Sequence, residues 1–294
     1  MSPTTPGSSK LVLIDGNAIM HRAYHALPPL TGNDNQPINA VYGLTSMLLK
    51  VIADLKPTHI AFAFDRKEPT FRKKMLESYQ AHRPEMDTDL SSQFAIAREV
   101  IASFGIPIYD KAGFEADDVI GTIASKCLLT QVVVVTGDRD MLQLIDDKVN
   151  LYMPIGGLAN AKQFGENEAK NKMGVLPDKI VDYKALVGDP SDNYKGVPGI
   201  GPKTAIKLLD EFGTLDNIYK NLDGLPPRTK TLLVINKDSA YVSQKLATIV
   251  RDVDINIDFA KMEIWDLGNP EVSKVFARIG FKTLAKRTKK FYNK

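Results

Sequence analysis

Between Gly113 and Asp140 the chain reads Gly-Phe-Glu-Ala-Asp-Asp-Val-Ile-Gly, an apolar helical run, and then Gln-Val-Val-Val-Val-Thr-Gly-Asp-Arg-Asp. The spacing puts Glu115, Asp117 and Asp118 in the first turn of a helix, with Glu115 and Asp118 on one face. Asp138 and Asp140 follow a four-valine strand, on the loop where an open α/β sheet places its ligands. Five carboxylates are therefore expected at one sheet edge. Any one of them is explained by the preference of acids for helix N-termini and loop ends. All five together are not, because crowded carboxylates raise one another's pKa until one neutralises or a cation intervenes. Hard divalent ions with oxygen ligands, Mg²⁺ or Mn²⁺, are the natural counter-charge.

The flanking sequence adds to this edge. Leu11-Val-Leu-Ile forms a strand that ends on Asp15, and His59 to Phe64 forms a second that ends on Asp65. Apolar residues at Val41, Leu44, Met47, Leu48, Val51, Ile52 and Leu55 predict a core-facing helix over 39–55. A helix is expected over 89–104, a strand over 106–109 and a last strand over 149–153. Beyond residue 163 the alternation stops and helices with short turns follow. There Asp189 and Asp192 lie on a loop, and Val197-Pro-Gly199-Ile-Gly201 makes a glycine hairpin before a helix carrying Lys203 and Thr204. Glycines there free backbone N–H groups for a phosphate oxygen. A nucleotide phosphate loop is excluded, since Pro202 stands where its Lys must be.

Over 66–88 the chain turns basic. Arg66, Lys67, Arg72, Lys73, Lys74, His82 and Arg83 are interleaved with Phe71 and Tyr79. A charge run is commonly a solvated helix face; directly after Asp65 it also fits a clamp on phosphates and unstacked bases. Arg22 admits the same two readings. The net charge is only +3, from 38 basic and 35 acidic residues. With the nine acids at Asp15, Asp65, Glu115, Asp117, Asp118, Asp138, Asp140, Asp189 and Asp192 set aside, the remainder is strongly basic and suits a polyanion.

At 294 residues, 44% hydrophobic and 25% charged, the chain has the size and composition of a large α/β domain with a helical lobe. No run is long and apolar enough to span a bilayer, and residues 1–9 read as a short disordered leader without a signal peptide. The lone Cys127 and four scattered histidines offer no disulfide and no zinc site, which suits a cytoplasmic, nucleoid-associated protein.

These motifs resemble the 5′-nuclease domain of bacterial DNA polymerase I and, more widely, the flap endonuclease family. The resemblance rests on Asp15-Gly with Arg22 behind it, Phe64-Asp65, Glu115-Ala-Asp117-Asp118, Gly137-Asp138-Arg-Asp140, Gly188-Asp189-x-Ser-Asp192-Asn and the Val197 to Gly201 hairpin, across nearly the whole chain from Lys10. It implies a PIN-like α/β nuclease core with a mostly parallel sheet over 10–162 and a helix-hairpin-helix DNA-binding region over 163–294. The implied activity is hydrolysis of phosphodiesters at 5′ ends, flaps, nicks or RNA primers in replication and repair, by a monomer linked to or working with a DNA polymerase. The chain ends about where that nuclease domain does, so no polymerase activity is expected of these residues. Two or more Mg²⁺ or Mn²⁺ ions are implied, with a monovalent cation admitted at the hairpin. By the family's motifs, Asp15, Asp65, Glu115 and Asp117 would hold the first metal. Asp138, Asp140, Asp189 and Asp192 would hold the second, and Asp118 would support both. Arg22, Arg72, Lys74, Tyr79 and Arg83 match positions on the substrate strand, and Val197, Gly199, Gly201, Lys203 and Thr204 match a duplex grip.

One departure stands out. The family pattern Tyr-Lys-x-x-Arg is here Tyr79-Gln80-Ala81-His82-Arg83, so a neutral amide replaces the Lys that points at the scissile phosphate. Slower cleavage is expected unless Lys73, Lys74 or Arg83 substitutes. Two alternatives are set against the nuclease: a short PIN-type ribonuclease, which would lack the hairpin, and a catalytically weakened flap- or junction-binding protein, whose support is Gln80. Retention of all nine acids weighs against the second, because bare acids repel DNA. Tyr194-Lys195, where relatives commonly have an aliphatic residue and Pro, is a smaller departure.

Overall fold

Strict two-residue alternation of burial organises the molecule. Val12, Ile14, Ile60, Phe62, Val133 and Val135 enter one apolar layer, while Leu11, Leu13, Ala61, Ala63, Val132 and Val134 enter the other. Strands buried on both faces read as continuous apolar runs, which is how parallel sheets covered by helices are built. The computed structural model describes residues 9–155 and 160–292; the leader expected over 1–9 falls, up to Ser8, outside the described residues.

The sheet contains β1 (Lys10–Asp15), β2 (His59–Ala63), β3 (Ile108–Tyr109), β4 (Gln131–Val135), β5 (Val149–Pro154) and β6 (Ala161–Phe164), in the order β3-β2-β1-β4-β5-β6. The first five are parallel and β6 is antiparallel to β5. The strand over 149–153 is therefore not the last, as the sequence suggested. Ala-Lys-Gln-Phe carries too little apolar periodicity to declare itself, and β6 is an edge strand held by pairing to β5. The chain leaves β1 in one direction toward β2 and β3 and returns on its other side for β4 and β5. That reversal makes a switch point at the C-terminal ends of β1 and β4, where α/β sheets bind ligands.

Helices α1 (Gly16–Ala26), α2 (Asn39–Leu55), the short α3 (Phe71–Met75), α4 (Thr88–Ser103), α5 (Ala116–Lys126) and α6 (Glu166–Met173) connect or follow the strands. α1 begins earlier than its apolar pattern does, because Asp15 caps it by accepting from the Ala18 N–H. Then come α7 (Ile180–Val187), α8 (Pro202–Phe212), α9 (Leu215–Lys220), α10 (Pro227–Ile235), α11 (Lys237–Ala247), α12 (Pro270–Ile279) and α13 (Lys282–Tyr292). Residues of α7, α8 and α9 extend the layer that covers α5, whereas α12 and α13 return to the opposite layer beside α2 and α4. The described residues contain no helix long and apolar enough to cross a membrane.

Candidate active site

An open cleft of about 660 Å³ lies along the C-terminal edge of the sheet, lined by acids from five separate segments. Asp15 ends β1, Asp65 follows β2, Glu115 and Asp117 open α5, Asp138 and Asp140 follow β4, and Asp192 comes from the loop after α7. Each is fixed by local bonding. Asp15 accepts from Thr136 Oγ1 at 2.8 Å as well as capping α1. The Asp65 carboxylate accepts from the Ala116 N–H at 2.7 Å, which ties β2 to the start of α5. Asp138 accepts from the Asp140 N–H at 2.8 Å, closing the turn after β4.

Loop 188–196 brings in the last two acids. Gly188 and Gly196 both have positive φ, 77° and 60°, and a Cβ on either would lie 2.4–2.5 Å from backbone of the opposite limb. Only glycine permits that approach. The closed loop sets Asp189 across from Tyr194, with reciprocal backbone bonds of 2.8 and 3.1 Å. Carboxylate oxygens of Asp140, Asp189 and Asp192 consequently lie within 4.8 Å of one another.

The electrostatics of this edge call for cations. Burial, reinforced by Asp65 and Asp138, pushes the Asp15 carboxyl up to about 7. Burial likewise lifts Glu115 to about 7 and, with Asp138 beside it, Asp140 to about 6. Asp117 is driven well above the carboxylate range by burial and then by Asp138 and Asp15. Asp189 goes the other way: burial would raise it, but Lys184 and Ser191 bring it down to about 2. A set of hard oxygen donors that cannot all ionise unaided is the donor chemistry of a divalent-ion site, so these residues fit a hard divalent cation.

Several residues occupy roles other than those expected. Arg72 lines the cleft, but its guanidinium is committed to internal partners. It is 2% exposed, and its guanidinium is saturated by Asp118 and by the Leu246 and Thr248 carbonyls, with Glu115 at 3.4 Å. Asp118 is its counterpart and is bonded to the Glu115 N–H beside the cleft. Its oxygens accept from Arg72 and from the Glu115 and Val250 N–H groups, and its residue is fully buried. Tyr79 is not an exposed platform for bases. It is buried with Tyr194, Leu246 and Ala247, and its hydroxyl donates toward Glu115 and Asp192. Val197 is also buried, and its N–H goes to the Leu186 carbonyl, so it has no group to offer DNA. In each case a residue type that suits a surface contact also suits an internal one, and the tertiary fold decides.

Other expected residues do border the cleft or the surface beside it. Arg83 donates to Asp192 at 2.6 Å and Gln80 Nε2 to the same oxygen at 3.1 Å, while Lys73 reaches the Tyr79 carbonyl at 3.0 Å. Lys74 is exposed on α3, and Arg22 lies over Gly137 with its Nε buried. Gly199, Gly201, Lys203 and Thr204 are exposed at the N-terminus of α8. Lys184 is the residue that sequence reading missed. It bonds Asp189 at 2.6 Å and Asp140 at close range from the buried face of α7. The available signal was a lysine four residues after Ile180, at an apolar-face position of that helix.

A mostly parallel α/β sheet with an acidic edge, followed by a helical region, defines a class of nuclease, and the family comparisons agree. Residues 10–174 match the family model for the 5′-3′ exonuclease N-terminal resolvase-like domain, and residues 175–269 match that for the 5′-3′ exonuclease C-terminal SAM fold. The chain belongs to the 5′-3′ exonuclease family, a family of nucleases. Among its relatives is DNA polymerase I of Caldicellulosiruptor bescii, 39% identical over 282 residues that make up 95% of this chain and 33% of the relative. DNA polymerase I of Bacillus subtilis (strain 168) is 37% identical over 281 residues, 95% of this chain and 32% of the relative. The chain thus spans about a third of the length of these curated relatives. The fold is shared with the bacteriophage T5 flap endonuclease, solved as a pseudo-enzyme-product complex with DNA and metal ions. That likeness has TM-score 0.66 at 20% identity and covers 97% of this chain and 98% of that one. It is shared too with the catalytic core of Rad2 in complex with DNA substrate, at TM-score 0.57 and 16% identity over 93% of this chain and 89% of that one.

Proposed function

We propose that this chain is a divalent-metal-dependent, structure-selective 5′ nuclease that hydrolyses phosphodiesters at 5′ ends, flaps or primers. The observation that carries the reading is the gathering of Asp15, Asp65, Glu115, Asp117, Asp138, Asp140 and Asp192 in one open cleft, with protonation of several pushed toward neutrality. Asp15, Asp65, Glu115 and Asp117 would hold one divalent ion, and Asp138, Asp140, Asp189 and Asp192 a second. Such a pair, when bound, supplies activation of water and neutralisation of charge on the phosphate. Arg83 and Gln80 orient Asp192 and stand at the mouth of the cleft, where a phosphate would enter. The exposed first turn of α8, after Gly199 and Gly201, offers backbone N–H groups, Lys203 and Thr204 to duplex phosphates. The Asp118 and Arg72 pair fixes the start of α5.

Single-turnover cleavage of a 5′-labelled flap on a nicked duplex tests this, with Mg²⁺, with EDTA, and with Asp117→Ala. A short labelled product from the parent chain with Mg²⁺ alone is expected. Tight flap binding without product in Mg²⁺ or Mn²⁺ would instead favour a binding protein weakened at Gln80.

A further inference from the structure

Lys184 and Tyr194 are two buried groups with matching unused capacity. The Lys184 ammonium sits on Asp140 and Asp189, two of the three acids whose oxygens crowd within 4.8 Å, and so occupies the counter-charge position of the second cluster. Its side chain is only 7% exposed, so water can do little to replace those partners. An ammonium carries three donors, and those two bonds use two of them. The Tyr194 hydroxyl is buried and has no hydrogen-bond partner among the described residues. Tyr194 is pinned opposite Asp189 by their reciprocal backbone bonds, and Asp189 in turn holds the Lys184 ammonium.

A divalent ion entering between Asp140, Asp189 and Asp192 would repel that ammonium. A buried charge cannot be left unpaired without heavy penalty. The unpartnered hydroxyl is a ready acceptor for that ammonium. We propose that Tyr194 is a positioning residue for the second carboxylate cluster, its hydroxyl accepting the Lys184 ammonium when a divalent ion takes Asp140 and Asp189. The inference rests on the two-ion reading above and adds to it a residue on the same closed loop as Asp189 and Asp192.

Mn²⁺ uptake by the DNA-free protein, followed by electron paramagnetic resonance and calorimetry, tests it without any cleavage readout. The parent chain should bind two Mn²⁺ ions. Tyr194→Phe, which keeps the ring and should leave thermal unfolding of the metal-free protein unchanged, should bind the first normally. Its second ion should bind roughly tenfold more weakly, the worth of one hydrogen bond to a charged group. In a Lys184→Met background the Tyr194→Phe change should have no further effect. Equal second-ion affinity in the parent and Tyr194→Phe, or the same weakening with and without Lys184, would overturn the role of Tyr194 and leave the metal site standing. Failure of the parent to bind a second Mn²⁺ would overturn the two-ion reading itself, and the assignment with it.

Discussion

Arg72 grips Asp118 with both terminal nitrogens, Nη1 to Oδ2 at 2.7 Å and Nη2 to Oδ1 at 2.8 Å, in a position closed to solvent. The same guanidinium binds carbonyls at the end of α11, and the same carboxylate binds the Glu115 and Val250 N–H groups. Three distant segments therefore meet on one bidentate pair: the basic stretch after β2, the start of α5 and the chain beyond α11. Removing one partner strands the other as a buried charge, so Asp118→Ala or Arg72→Met should lower unfolding free energy by about 3–5 kcal/mol. Lys73→Ala, on an exposed side chain of the same helix, should change it by less than about 0.5 kcal/mol. Urea unfolding of the three variants measures the contrast, and a mild Asp118 variant would contradict it.

Raised carboxyl pKa values also fix a pH dependence. Asp15 and Glu115 are held at about 7 and Asp140 at about 6, against unfolded values near 4, chiefly by burial and then by neighbouring acids. Between these limits the folded chain binds more protons than the unfolded one, so stability falls as pH rises. The metal-free protein should therefore lose thermal stability from pH 5 to pH 8, and Mg²⁺ or Mn²⁺ should restore more at pH 8 than at pH 5. Asp189, lowered to about 2, stays ionised throughout and contributes nothing to that slope. Thermal melts in EDTA and in Mg²⁺ across this range check the sign.

Much of this architecture can be read from the chain because its causes are local. Continuous apolar runs ending on Asp15 and Asp65 declare parallel strands and the acids at their C-terminal edge together, and the 39–55 helix follows its periodicity residue for residue. What escapes has non-local causes. β6 exists because β5 offers an edge, not because its own sequence is strand-like. The inward turn of Arg72 and Tyr79 depends on acids and carbonyls 36 to 176 residues away. Lys184 resembles any helical lysine until loop 188–196 folds Asp189 against it.

Gln80 lies at the cleft mouth with φ 56° and donates to Asp192 from both its side chain and its backbone N–H. A neutral amide there can orient Asp192 but adds no positive charge, and Arg83 already spends its shortest bond on the same oxygen. Gln80→Lys should accordingly raise the single-turnover cleavage rate by about an order of magnitude, since fixed charge at a developing oxyanion acts on the transition state. Binding of the flap without metal should change little. An unchanged rate with the variant folded would mean that Lys73 or Arg83 already supplies the charge.

Lys203 and Thr204 stand exposed on the first turn of α8, on a different part of the surface from the acidic cleft. A phosphate contact there is electrostatic and blind to base sequence, so losing it should act on binding rather than on chemistry. Lys203→Ala should weaken flap binding similarly for unrelated sequences and reduce the slope of log K against log salt by about 1. Cleavage at saturating DNA should remain near the parent rate, since the fold around Ala205, Leu208 and Leu209 is untouched. Salt-dependent anisotropy titrations beside single-turnover rates separate the two effects. A loss of rate at saturation with an unaltered salt slope would place Lys203 outside the duplex grip.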